Sequence, residues 1–115
     1  MNRNEKLYNM KFKDLYPLYI AKVKRKDKTE NEVVDLIKWL TGYETLEDVL
    51  NSDISVRDFF QKAPNLNENR EKITGSICGV KIQEIEDPLM KEIRYLDKII
   101  DELAKGKDIN KIKRV

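Results

Sequence analysis

Residues 87–106, DPLMKEIRYLDKIIDELAKG, contain the strongest helix signals in the chain. Asp87 is a typical N-cap residue, and Pro88 occupies the first helical position, where a missing N–H is tolerated. Gly106 follows where a left-handed residue commonly ends a helix. Apolar residues recur in steps of four and three at Leu89, Ile93, Leu96, Ile100 and Leu103. Together these signals predict a long helix over residues 88–105.

The first quarter of the chain contains a proline within a helical pattern. Between Phe12 and Val23 apolar side chains recur at the helical period, but Pro17 interrupts them. Proline lacks an N–H, and its ring clashes with the preceding turn of a helix. We therefore predict a short helical turn at residues 11–15 and a separate helix that starts near Pro17.

Polar N-cap residues mark the starts of further helices. Thr29 and Glu32 have the spacing of a capping box, so a helix should begin directly after Thr29 and end before Gly42. Shorter helices are predicted behind the N-caps Thr45, Ser55 and Asn67, the last of them over residues 68–75.

Residues 75–82 give an ambiguous pattern. Val80 and Ile82 alternate as in a short strand, whereas Ile82 and Ile85 are spaced as in a helical turn. A possible short strand or turn near residues 79–83 remains open, but no partner strand is obvious, and an isolated strand is unstable. We therefore favour a helix or a turn here. A helix-turn-helix can be drawn across residues 70–87, but its recognition helix would present mainly acidic residues to DNA phosphates.

These elements predict an all-α, mainly helical fold of about five to six helices. The 115 residues have the length of one compact domain, and 40% apolar residues suffice for a core inside a shell that is 38% charged. We treat residues 1–115 as a single domain, with residues 1–6 and 113–115 frayed. No apolar run is long enough to cross a bilayer, and the start lacks the apolar stretch of a signal peptide, so a cytoplasmic location without membrane contact is expected.

Two compositional facts exclude many kinds of catalytic and metal site. The chain has no histidine and a single cysteine, Cys78. Serine–histidine triads, cysteine–histidine pairs and imidazole-dependent metal sites are therefore excluded, as is an internal disulfide. We predict no catalytic, cofactor-binding or metal-ligating residue, and no cofactor.

Charge is distributed unevenly along the chain, although the net charge is only +2. Residues 1–29 carry nine bases and three acids, whereas residues 30–58 carry two bases and eight acids. Five bases lie within seven residues: Lys22, Lys24, Arg25, Lys26 and Lys28, here called the basic segment. A second run, residues 105–114, holds five more bases near the C-terminus. Such runs are usually solvated faces; the alternative is a binding surface for nucleic acid or for an acidic protein.

Cys78 is the sequence's candidate nucleophile, because a thiol with Lys72 or Lys81 close by could ionise readily. Its apolar neighbours favour instead a small, buried hydrophobic residue. Glu84 and Glu86 could act as acid and base or bind a metal ion, but exposed charges explain them as well.

Several blocks of the chain resemble a known family: residues 18–22 (LYIAK), 39–43 (WLTGY), 73–80 (ITGSICGV), 86–90 (EDPLM) and 94–98 (RYLDK). Across roughly residues 6–112 the chain is similar to a family of bacterial conserved hypothetical proteins, domain-of-unknown-function family twenty-two hundred. The resemblance implies a stand-alone bacterial cytoplasmic protein of mostly helical fold. It implies no activity and no catalytic residue.

The function that these observations favour is a non-catalytic binding or regulatory module. The basic segment would face nucleic acid or an acidic protein, and the helix at residues 88–105 could support a homo-oligomer. The alternative is a small enzyme or ligand-binding protein that uses Cys78 or the Glu84 and Glu86 region.

Overall fold

The computed structural model describes residues 3–114 and is mainly helical. Seven α-helices lie in this part of the chain: α1 (Arg3–Asn9), α2 (Phe12–Lys24), α3 (Glu30–Thr41), α4 (Glu47–Leu50), α5 (Val56–Gln61), α6 (Pro88–Ala104) and α7 (Ile109–Ile112). Between α5 and α6 lie 3-10 helices at Glu68–Lys72 and Ile82–Glu84 and a hairpin of β1 (Ser76–Ile77) and β2 (Val80–Lys81). The predicted fold class is confirmed.

Helices α2, α3 and α6 form the centre of the fold. Tyr19 of α2 contacts Asp97 of α6, and one turn later Lys22 contacts Asp101, so α2 and α6 run in the same direction. The chain turns back between α2 and α3, where the capping box of Thr29 and Glu32 starts α3 as predicted. The C-terminal ends of α2 and α6 therefore lie side by side.

The long helix α6 buries a wider stripe than the sequence pattern indicates. Its buried residues are Met90, Ile93, Tyr95, Leu96, Ile99, Ile100, Leu103 and Ala104, while Leu89 is partly buried. Asp87 caps the helix by accepting a hydrogen bond from the Leu89 N–H, and it also accepts one from the Tyr8 hydroxyl. The apolar stripe of α6 is therefore packed inside the protomer.

The predicted break at Pro17 is wrong, because α2 runs without interruption from Phe12 to Lys24. Proline removes one backbone hydrogen bond from the helix interior, but it does not force the chain out of helical backbone angles. The buried side chains before and after it, Leu15 and Tyr19, face the same core. Burial of both turns against that core outweighs the lost hydrogen bond.

The segment between α5 and α6 also differs from the prediction. The helix expected over residues 68–75 is a short 3-10 helix, Glu68–Lys72. The possible strand near residues 79–83 is present as β2, and its partner β1 lies immediately before it. The preference for helix or turn is therefore wrong for the two strands and correct only for the turn at residues 78–79. Two-residue strands carry too little alternation to be recognised in a sequence. The helix-turn-helix drawn across residues 70–87 does not form in the described chain.

Residues near both ends of the described chain contact the rest of the fold, as Glu5 does through Arg57. Residues 3–6, predicted to fray, belong to α1, whereas residues 1 and 2 lie outside the described chain. Near the other end Lys113 pairs with Asp35 at 2.7 Å, and Arg114 binds Glu102 through both terminal nitrogens. Residue 115 lies outside the described chain.

Candidate functional site

The C-terminal ends of α2 and α6 enclose a depression of about 700 Å³, here called the basic groove. It is lined by Lys22, Arg25, Lys26, Asp101, Ala104 and Lys105. The groove exists because α2 and α6 are parallel and end together, so that bases far apart in the sequence meet. Three bases of the basic segment thus join one base of the C-terminal run.

Asp101 lies in this groove between two lysines. Its carboxylate is 3.1 Å from the Lys22 Nζ and 3.0 Å from the Lys105 Nζ. Partial burial opposes ionisation of Asp101, but the hydrogen bonds and charges of Lys105 and Lys22 outweigh it and lower its pKa. Asp101 is therefore held as a carboxylate, and it neutralises part of the positive charge of the groove.

The other four members of the basic segment have no carboxylate partner within residues 3–114. Lys24, Arg25 and Lys26 are exposed, and Lys28 is half-buried. Arg25 donates from Nε to the Ala21 carbonyl at 3.4 Å, which leaves its terminal nitrogens available. Because α2 ends here, these cations also lie close to the negative end of its dipole, and that position alone stabilises the helix.

Only part of the C-terminal run, residues 105–114, lies in the groove. Lys105 joins it, but Lys107 pairs with Glu102 at 3.9 Å and Lys113 with Asp35 at 2.7 Å. Lys24 lies in a second, shallower depression on the other side of α2. The structure therefore brings together Lys22, Arg25, Lys26 and Lys105, a combination that local sequence spacing cannot show.

The tyrosines near the basic segment belong to the core. Tyr16 donates its hydroxyl to Glu30 at 2.8 Å, and Tyr19 donates to Asp97 at 2.5 Å. Burial, reinforced by the neighbouring carboxylate, raises the pKa of each phenol. Both rings are buried, so they cannot stack on the bases of a single-stranded nucleic acid.

Cys78 lies at the tip of the β1–β2 hairpin and is exposed, so the prediction of a buried residue is wrong. Its φ of 54° and that of Gly79 at 77° match the two central residues of a type I′ hairpin turn. The basic side chain placed against the thiol is Arg94 of α6, with Nη1 3.6 Å from Sγ, and not Lys72 or Lys81. An exposed thiol reacts with reagents in any case, so reactivity alone cannot identify a nucleophile here.

The two acidic candidates do not form a site with other ligands. Glu84 ends a 3-10 helix and Glu86 precedes the N-cap of α6, and both side chains are exposed. Within the described residues no three acidic or cysteine side chains are grouped so that they could hold a metal ion. The basic groove, by contrast, brings four basic side chains together around one carboxylate.

Comparison with protein families finds one match that covers almost the whole chain. Residues 6–114 match the model described as "Uncharacterized protein conserved in bacteria (DUF2200)". The chain belongs to this family. A comparison of the DUF2200 chain with curated proteins finds no match.

A solved structure similar to this DUF2200 chain supports the fold. It is described as the crystal structure of uncharacterized protein SP1917, with 49% sequence identity and a TM-score of 0.90. The match covers 97% of this chain and 92% of that one. In the part of the DUF2200 chain that the structure describes, no helix has the length and apolar character needed to cross a membrane.

Proposed function

We propose that this DUF2200 protein is a non-catalytic binding module of the bacterial cytoplasm, whose basic segment and groove bind an anionic macromolecule. The observation that carries the proposal is the convergence of α2 and α6, which sets Lys105 beside Lys22, Arg25 and Lys26. A cluster of cations on one surface raises the local concentration of an anionic partner and accelerates its association.

Binding is a better explanation of the groove than catalysis. Its side chains are three lysines, one arginine, one alanine and one aspartate, and that aspartate is held by Lys22 and Lys105. Its pKa is lowered, so at neutral pH Asp101 has little tendency to take a proton as a general base. The groove can therefore attract and orient an anion without changing it chemically.

A second candidate function, an enzyme or ligand-binding protein that uses Cys78 or the Glu84 and Glu86 region, has weaker support. The contact that favours it is Arg94 Nη1 at 3.6 Å from the Cys78 Sγ. A guanidinium stays charged, however, so it cannot accept the thiol proton as a general base would.

Binding to anionic polymers tests the proposal directly. Fluorescence polarisation would be measured with a labelled DNA duplex and with labelled poly-L-glutamate, at about 50 mM and about 200 mM salt, because charge contacts weaken steeply over that range. We expect binding that falls with salt and is lost in the double variant Arg25→Glu/Lys26→Glu. The matched control, Lys62→Glu/Lys81→Glu, reverses two exposed lysines elsewhere and should bind like the wild type.

Asp101→Asn gives the same test in the opposite direction. It releases Lys22 and Lys105 from their shared carboxylate, so the affinity for both polymers and its salt dependence should increase. Absence of binding to either polymer at the lower salt concentration, for the wild type and for Asp101→Asn alike, would refute the proposal.

Self-association is a separate proposal, and it concerns a surface other than the apolar stripe of α6. The apolar stripe of α6 is packed in the core, so a second copy would have to dock on another surface. We expect light scattering at high protein concentration to detect a species of about twice the 13.6 kDa protomer. A monomer under those conditions would refute the homo-oligomer proposal and leave the anion-binding proposal unaffected.

A further inference from the structure

The surface of α2 that faces away from the core combines apolar and basic side chains. Pro17, Leu18, Ala21, Lys24 and Arg25 are exposed on it, and these residues are called the outer face of α2. Leu18 is 58% exposed, more than Val80 at 42% on β2. The spacing of three and four residues places them along one side of the helix. The apolar residues Pro17, Leu18 and Ala21 are thus followed by two cations, Lys24 and Arg25, that have no carboxylate partner in the described chain.

Depressions lie on both sides of this outer face. Towards α3 is a shallow one of about 370 Å³, which Pro17, Ala21 and Lys24 share with Glu30. Towards α6 is the basic groove, to which Arg25 contributes. A ligand laid along α2 would therefore contact a continuous surface that changes from apolar to positively charged.

We propose that the outer face of α2 binds a protein segment that is both acidic and amphipathic. The apolar side chains of this segment contact Leu18 and Ala21, and its carboxylates pair with Lys24 and Arg25. This inference rests on the proposed function and names the class of the anionic partner. A helix with apolar residues along one side and acidic residues beside them fits this surface, because amphipathic helices bind grooves through apolar side chains spaced three and four residues apart.

Charge complementarity fixes the sign and the orientation of the partner. Lys24 and Arg25 have no carboxylate partner within residues 3–114, and they lie at the C-terminal end of the outer face of α2. Asp14 is exposed one turn before Leu18, at the opposite end. Acidic groups of the partner are therefore attracted to the last turn of α2, whereas the first turn offers them no net positive charge, because Lys11 and Lys13 pair with Asp53 beside Asp14.

A protein segment satisfies this surface better than a nucleic acid does. Phosphates offer no apolar group to Leu18, and the rings of Tyr16 and Tyr19 are buried, which leaves them unable to stack on bases. A carboxylate on a flexible side chain can reach Lys24 and Arg25 while apolar side chains of the same segment contact Leu18.

Two peptides of equal charge distinguish this inference from simple polyanion binding. Each is fluorescein-labelled, has about 18 residues or five helical turns, and contains only Leu, Glu and Ala. One places Leu at spacings of three and four so that a helix has an apolar side, and the other has the same composition with Leu dispersed. Polarisation would be measured for wild type, Leu18→Ala and the control Val80→Ala, with a DNA duplex as the third probe.

We expect the wild type to bind the amphipathic peptide about tenfold more tightly than the dispersed one, which is the effect of burying one leucine side chain. Leu18→Ala should remove this preference and Val80→Ala should keep it. Equal binding of both peptides, or tighter binding of the duplex, would overturn the inference but leave anion binding intact. Failure of all three probes to bind would overturn the proposed function as well.

Discussion

Phe59→Ala is expected to lower the free energy of unfolding by about 3–5 kcal/mol, the usual cost of removing a buried phenylalanine ring. Phe59 is fully buried on α5, and its ring stacks on Phe12 of α2 with centroids 3.8 Å apart. Tyr43 stacks on it at 4.9 Å, and Phe60 meets it edge-on at 5.1 Å. The substitution leaves a cavity and deprives three neighbouring rings of their contact, and the stacking contact between α5 and Phe12 of α2 is lost.

Chemical denaturation followed by circular dichroism would measure this loss. Leu18→Ala is the matched control, because it also shortens an apolar side chain but at an exposed position, where changes usually stay within about 0.5 kcal/mol. A loss below about 1 kcal/mol for Phe59→Ala would contradict the packing described for this cluster, since cavities in cores cost more than that. Leu18→Ala must also prove stable if it is to serve as a binding variant.

Local signals explain why much of the fold is predictable from the sequence. The start of α3 depends on Thr29 and Glu32, and the start of α6 depends on Asp87 and Pro88. In each case the two residues lie within one helical turn of each other. The break predicted at Pro17 is wrong because burial of α2 in the core stabilises the continuous helix more than the proline destabilises it.

The candidate site is less predictable, because its geometry depends on contacts between distant residues. The basic segment is visible in the sequence, but the ion pairs of Asp101 with Lys22 and Lys105 depend on two helices that end together. The exposure of Cys78 follows from a tight hairpin of two-residue strands, and its apolar neighbours suggested the opposite. Exposure of Leu18 likewise follows from which side of α2 faces the core. The apolar pattern of α2 identifies the buried side of the helix, but it does not show which of the remaining residues are exposed.

Gly42→Ala is expected to cost about 2–4 kcal/mol, because left-handed backbone strain adds to overpacking against a neighbouring segment. Gly42 ends α3 with φ of +81°, and a Cβ there would lie 2.7 Å from the Asn65 carbonyl oxygen. That segment is held by hydrogen bonds from the Asn65 N–H to Thr41 O and from the Asn67 N–H to Leu40 O. It therefore cannot move away without exposing the last carbonyls of α3.

Gly106→Ala separates the two contributions to this cost. Gly106 also has a positive φ, +94°, but a Cβ there would meet nothing within 4 Å, so its substitution should cost only the backbone strain, about 1 kcal/mol. Denaturation curves of both variants give the difference, which measures the collision with Asn65. Equal losses would mean that the segment yields freely and that its hydrogen bonds to Thr41 and Leu40 do not fix it. A larger loss at Gly42, with faster amide exchange at Asn65 and Asn67, would identify this contact as the one that holds the connection after α5 against the end of α3.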